Sequence, residues 1–213
     1  MDSKMQSLHD PRTLRPPTLD TSAEHFLRTW QSRGVQVVVF DFDNTILQVH
    51  SRGAKQSSNE AELKAYVHKL RDAISPSFLA IVHTANRLPR RHRVKLGIAS
   101  FADERVIKGG QGIGGQRLIA RVLEPFLTRD ESSIPIVAFN PALDVHDDDD
   151  DENKTSDQER ANKNMHLLRL ARFYGLTSPR QLLLIDDDMN NIEAAKLEGY
   201  ATLHVVGSKG FQL

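Results

Sequence analysis

The chain has 213 residues, 39% of them hydrophobic and 26% charged, which suits a globular fold with a real core. Its 28 basic and 28 acidic residues cancel, so it lacks the basic excess of a dedicated nucleic-acid binder. It has no cysteine, which excludes disulfides, thiolate zinc sites, iron–sulfur clusters and cysteine nucleophiles and leaves carboxylates, His, Lys, Ser and hard metals for any chemistry.

Residues 1–20 are polar, carry three prolines and have no apolar h-region; they read as a flexible arm with no secretory signal. No run approaches the ~18 apolar residues of a membrane span, so a cytoplasmic protein is expected. Thr21 and Glu24 have capping-box spacing and open a helix with Phe26, Leu27 and Trp30 on one face, stopped by Gly34. Val35 to Phe40 is β-branched and almost wholly apolar, as a strand covered on both faces must be. Two helices follow, from Ser57 and Glu60 to about Asp72 and from Pro76 to about Asn86. Val94 to Ala99 is a second strand. Gly109 to Gly115 reads as a loop, Arg117 to Leu127 as a helix disturbed by Pro125, and Ile134 to Phe139 as a third strand. An acidic segment, 145–157, precedes an amphipathic helix from Gln158 to Tyr174 ended by Gly175. Leu182 to Ile185 is a fourth strand, Asn190 to Glu198 a short helix, and Ala201 to Val206 a fifth strand.

Strands alternating with helices predict one α/β domain over 21–213, a doubly wound, mainly parallel five-stranded sheet. Ligands of such sheets bind beyond the carboxyl ends of the strands. There the first strand ends in Asp41-Phe42-Asp43-Asn44-Thr45 and the fourth in Asp186-Asp187-Asp188. In extended backbone Asp41 and Asp43 share a face. If the two strands are neighbours, each like-charge pair at ~4 Å costs roughly 4 kcal/mol at an effective dielectric of ~20. A cation or protonation must relieve it, and all-oxygen ligation favours magnesium.

FDFDNT, then Ser100 at a strand end, a lysine, and a strand-end Asp186-Asp187 resemble the haloacid dehalogenase (HAD) superfamily over about residues 35–206. The resemblance implies a Rossmann-like core and a phosphomonoester hydrolase. In it Asp41 is the nucleophile that forms an aspartyl-phosphate, and Asp43 is the general acid/base, its backbone carbonyl also on the metal. Ser100 holds the phosphoryl group, and Lys163 (with Lys154 as the fallback) neutralises charge. Asp41, Asp43 and Asp186 bind Mg²⁺. Asp187 is expected to hold a metal-bound water or Lys163, and Asn191 to cap or orient its loop, with Asp188 beside them.

Only 56 residues separate Asp43 from Ser100 and 62 separate Ser100 from Lys163, which leaves no room for a separate cap domain. A capless, open site implies a macromolecular phosphoester such as a phosphoprotein, or a small substrate enclosed by an oligomer partner. The helical pair at 59–88 is a candidate minimal lid. The alternatives are a catalytically weak HAD-fold protein that binds phosphate or a partner, and a phosphotransferase.

Gly110 to Gly115 matches G-x-G-x-x-G, but nine residues separate it from the strand end, so it reads as a mobile loop beside the site and not as a dinucleotide site. The acidic segment reads as a solvated loop or a docking site for a basic partner. Arg52, close behind the first strand with His50 and Ser51, reads as a surface arginine or a phosphate contact. His83 and His166 read as packing or surface residues.

Overall fold

The apolar run before Asp41 supplies the middle of the sheet. In the computed structural model, which describes residues 17–89, 93–127, 134–143 and 162–213, β1 spans Val37–Phe40 and every residue in it is buried. It pairs in parallel with β3 (Lys95–Ser100) on one side and β6 (Leu182–Asp186) on the other. β5 (Ile136–Ala138) and β7 (Ala201–His204) complete a five-stranded sheet in the order β5-β3-β1-β6-β7, all pairings parallel. Alternate residues of β1 serve opposite faces. Val38 and Phe40 join Leu183 and Ile185 in one apolar layer, and Val37 and Val39 join Leu182 and Leu184 in the other.

The larger layer is covered by α1 (Pro17–Ser32), α2 (Glu60–Asp72), α3 (Pro76–Arg87) and α4 (Gly115–Leu123). α5 (Asn164–Tyr174) and α6 (Met189–Leu197) cover the smaller one. The α/β class and five-stranded parallel sheet agree with the expectation. Local signals set the helix ends. Asn59 and Ser75 accept from backbone N–H groups as N-caps, Pro76 stands in the first turn of α3, and Gly175 takes the left-handed conformation (φ 65°) that stops α5. Phe40 anchors the larger layer, edge-on to Phe78 of α3 and to Phe211 near the chain end, at centroid distances of 5.2 and 5.5 Å. Phe78, Ala80, Ile81 and Ala85 are buried, so α3 packs one face into the core.

Several boundaries differ from expectation. α1 opens at Pro17, inside the expected arm. α4 begins two residues early and yields to a 3₁₀ turn at Glu124–Phe126, where Pro125 has no N–H to continue the ladder. Lys163 precedes α5 instead of lying in it. The glycine segment is partly a strand. β2 (Ala54–Gln56) and β4 (Gly112–Gly114) form an antiparallel ribbon, Lys55 opposite Ile113. Gly112 has φ 152°, and a Cβ there would stand 2.5 Å from the Lys55 carbonyl oxygen, so close backbone approach explains that glycine. Residues 1–16, the acidic segment 145–157 and Lys154 lie outside the described residues. Among the described residues no helix is long and apolar enough to cross a membrane.

Candidate active site

Chain direction makes the cleft. From β1 the chain proceeds to β3 and β5 on one side, whereas β6 and β7 extend the sheet on the other, so the connections leaving β1 and β6 diverge above the sheet. Phe40 is in register with Ile185, and the Asp41 N–H donates to the Ile185 carbonyl at 2.9 Å. Asp41 and Asp186 therefore emerge together.

Phe42 turns down into the core, and the backbone then folds back in a wide turn. Asn44 takes φ 52°, a left-handed conformation that asparagine tolerates better than most residues. Its side-chain amide donates to Asp187 at 3.1 Å. The cleft above encloses about 490 Å³ and is lined by Asp41, Asp43, Ser100, Lys163, Asp186 and Asp187, among others.

Lys163 is 2% exposed and enters from the residue before α5. Its Nζ donates to Asp41 Oδ1 and, at 2.8 Å, to Asp186 Oδ2. Asp186 is fully buried and also accepts from the Asp188 N–H at 2.8 Å and the Asn191 amide at 3.2 Å. Asp188 itself caps α6, accepting from the Asn190 N–H. Burial alone would depress the Lys163 pKa, but Asp41 and Asp186 outweigh it and hold the ammonium charged. Burial pushes the Asp41 carboxyl well above its ordinary range; Lys163 pulls it back, and the Asp186 and Asp43 charges push it further up.

Carboxylate oxygens of Asp41, Asp186 and Asp187 lie within 4.8 Å of one another. At that separation and an effective dielectric of ~20 each charged pair repels by roughly 3 kcal/mol. One lysine cannot offset three carboxylates, and an all-oxygen cluster suits a hard divalent cation. A metal therefore fits these residues.

Asp187 lies in the carboxylate cluster and accepts from the Asn44 amide, while the Lys163 ammonium is taken by Asp41 and Asp186. The Asp43 carboxylate is not in that cluster. It accepts from the Ser51 N–H at 2.7 Å and stands 3.0 Å from His50 Nδ1. Ser51 is fixed from outside the loop by Tyr66 of α2, whose hydroxyl donates to the Ser51 carbonyl. Burial, then the Asp43 charge, pushes the Tyr66 phenol up to about 12, so it remains a donor.

Ser100 ends β3, buried, its Oγ accepting from the Ala102 N–H at 3.1 Å. Beneath it lies His166, fully buried and stacked on Phe139 with ring centroids 4.0 Å apart. Its Nε2 is 3.0 Å from the Ser100 carbonyl and 2.9 Å from that of Phe139, so the neutral ring ties the ends of β3 and β5 together. Burial is the main reason its pKa falls to about 4. His83 meets Asp20 at 3.3 Å on the surface. The parts sequence reasoning missed are Tyr66, the seat of His166 and the contact of His204 with the Asp187 carbonyl. Each joins residues remote in sequence, and no local pattern marks them.

No family model and no curated protein matches the chain. Among solved structures it is similar to a haloacid dehalogenase-like hydrolase from Bacteroides fragilis, at 15% identity and a TM-score of 0.45, with 84% of this chain and 90% of that chain covered.

Proposed function

We propose that this protein is a magnesium-dependent phosphomonoester hydrolase of the HAD type, working through an aspartyl-phosphate on Asp41. The observation that carries the reading is the convergence of Asp41, Asp186 and Asp187 within 4.8 Å, with buried Lys163 bridging the first two. Among the described residues this is the one group of carboxylates that close. It stands where a doubly wound sheet binds its ligand.

Asp41, Asp186 and Asp187 would hold the Mg²⁺ ion, which supplies positive charge against the transferring phosphoryl group. Asp41 attacks phosphorus; its Oδ–P bond forms as the bond to the leaving oxygen breaks. Asp43 donates the proton that the leaving oxygen needs. In the second half Asp43 takes a proton from water, whose oxygen displaces Asp41 and releases inorganic phosphate. Lys163 offsets the negative charge that would repel a phosphate dianion from a carboxylate, and the Ser100 hydroxyl steadies the phosphoryl oxygens.

The test is hydrolysis of para-nitrophenyl phosphate by the full chain. Turnover should stop on chelation, return with Mg²⁺ and be lost in Asp41→Asn. Turnover unchanged in that variant would remove Asp41 as nucleophile. Magnesium binding without turnover on a broad phosphoester panel would favour a binding protein, and transfer to an added alcohol would mark a phosphotransferase.

A further inference from the structure

Arg52 stands out once the charges of the cleft are paired off. It lines the same cleft as Asp41 and Lys163. Lys163 is committed to two carboxylates, whereas the Arg52 side chain is exposed and has no ion-pair partner among the described residues.

Its backbone is costly to hold. Arg52 has φ 62° and Gly53 φ 72°, two successive left-handed residues, the first without glycine's freedom. Such a conformation is strained for a non-glycine residue and persists only where the surroundings impose it. They do so here. Ser51 on one side is buried, with its carbonyl held by Tyr66 and its N–H by Asp43. Gly53 on the other side accepts from the Gly115 N–H at 3.0 Å and sits so close to the β3 exit that a Cβ would stand 3.0 Å from Ala102 Cα. A clamped loop thus presents one uncommitted guanidinium to the cleft that holds the carboxylate cluster.

We propose that Arg52 recognises a second anionic group on the substrate, so that the preferred substrate is a phosphate ester whose leaving portion carries a carboxylate or a second phosphate. The inference rests on the hydrolase reading for its chemistry. A guanidinium presents paired N–H donors that match either oxyanion, and on a rigid loop it loses little further freedom on binding.

Three homologous probes test it with the full chain and Mg²⁺: propane-1,3-diol monophosphate, the phosphate ester of 3-hydroxypropionate, and propane-1,3-diol bisphosphate. The second and third separate carboxylate from phosphate recognition. The parent should prefer at least one of the two probes with an anionic tail over the first by about tenfold or more in kcat/KM, equivalent to about 1.4 kcal/mol. Arg52→Asn, which keeps a side chain tolerant of positive φ, should bring that ratio to near unity, and Arg52→Lys should restore part of it. Calorimetric affinities for the same probes in an Asp41→Asn background, with and without Arg52→Asn, ask the question of binding alone. A binding preference that depends on Arg52 without any hydrolysis by the parent would overturn the hydrolase reading and keep the assignment. Absence of a preference, or a preference that survives Arg52→Asn, overturns the assignment whatever the turnover.

Discussion

Asp41 and Asp186 stand one residue beyond the register pair Phe40 and Ile185, at the tips of two adjacent parallel strands. Their carboxylates are shared by a single buried ammonium, Lys163. Sheet geometry thus brings together like charges that neither strand would tolerate alone, and the rest of the site follows from how those charges are held.

Lys163 supplies that restraint when no other cation is bound. Replacing it with Met keeps the volume of the stem but leaves two buried carboxylates facing each other. Removing one partner of a buried pair costs about 3–5 kcal/mol. In chelator at pH 8, Lys163→Met should lower Tm by roughly 10 °C. Added Mg²⁺ should raise the Tm of the variant more than that of the parent, because the ion then takes over the charge that Lys163 supplied between Asp41 and Asp186. Equal Tm values in chelator would show that Lys163 does not hold the cluster together.

Asp187 is the least buried carboxylate of the cluster, and it is the one to test for the cation. Asp187→Asn removes a charge from the cluster while retaining an oxygen acceptor for the Asn44 amide. Mg²⁺ affinity, measured by calorimetric titration, should fall by at least about tenfold with the fold intact. An unchanged affinity would remove Asp187 from the cation site.

The contrast between Asp186 and Asp187 shows what could be read without coordinates. β1 was legible because four consecutive buried residues in a central parallel strand must be apolar, and Asp41 was legible because charge begins where that run stops. The same reasoning located Asp186 at the end of Leu182 to Ile185. Adjacent aspartates find different partners, however: Asp186 meets Lys163 and Asn191, and Asp187 meets the Asn44 amide, contacts that only the folded loops bring together. The β2–β4 ribbon was hidden for another reason. Its strands are three residues long, and Gly112 and Gly114 signal a loop; they pair because bare backbone lets them approach closely. Lys163 could be named from its order in the chain, but its seat before α5 depends on where the helix begins.

His166 carries a pH signature. Burial is the main force keeping its ring neutral, with Lys163 and Arg169 acting in the same direction, against the Phe139 and Ser100 carbonyls. The folded pKa of about 4 lies below the ordinary value of 6.5. Between those values the unfolded chain binds the extra proton, so the stability is fully present above pH 6.5 and is lost as pH falls towards 4. The loss amounts to about 3 kcal/mol. His166→Gln keeps an N–H donor for the two carbonyls but cannot titrate. Urea midpoints at pH 7.5 and 4.5 should therefore converge between parent and variant at the lower pH. An equal gap at both pH values would mean that the ring does not stay neutral in the fold.

Tyr66 tests whether the 50–53 loop governs the proton-transfer step. Its hydroxyl holds the Ser51 carbonyl, and the Ser51 N–H holds one oxygen of Asp43, so an α2 side chain orients the carboxylate we propose as the general acid. Tyr66→Phe removes one donor and leaves the rest of the ring in place. The freed carbonyl costs about 1–3 kcal/mol if it stays dry. If the loop relaxes towards water, the stability cost shrinks and the orientation of Asp43 is lost instead. Exposure of His50 and Arg52 in this loop favours the second outcome, so kcat on para-nitrophenyl phosphate should fall several-fold with Mg²⁺ affinity unchanged, because the carboxylate cluster of Asp41, Asp186 and Asp187 does not include this loop. Burst kinetics separate the two half-reactions, and both should slow if Asp43 serves each as proposed. A variant that loses stability but keeps parental kcat would confine Tyr66 to packing and detach the loop from catalysis.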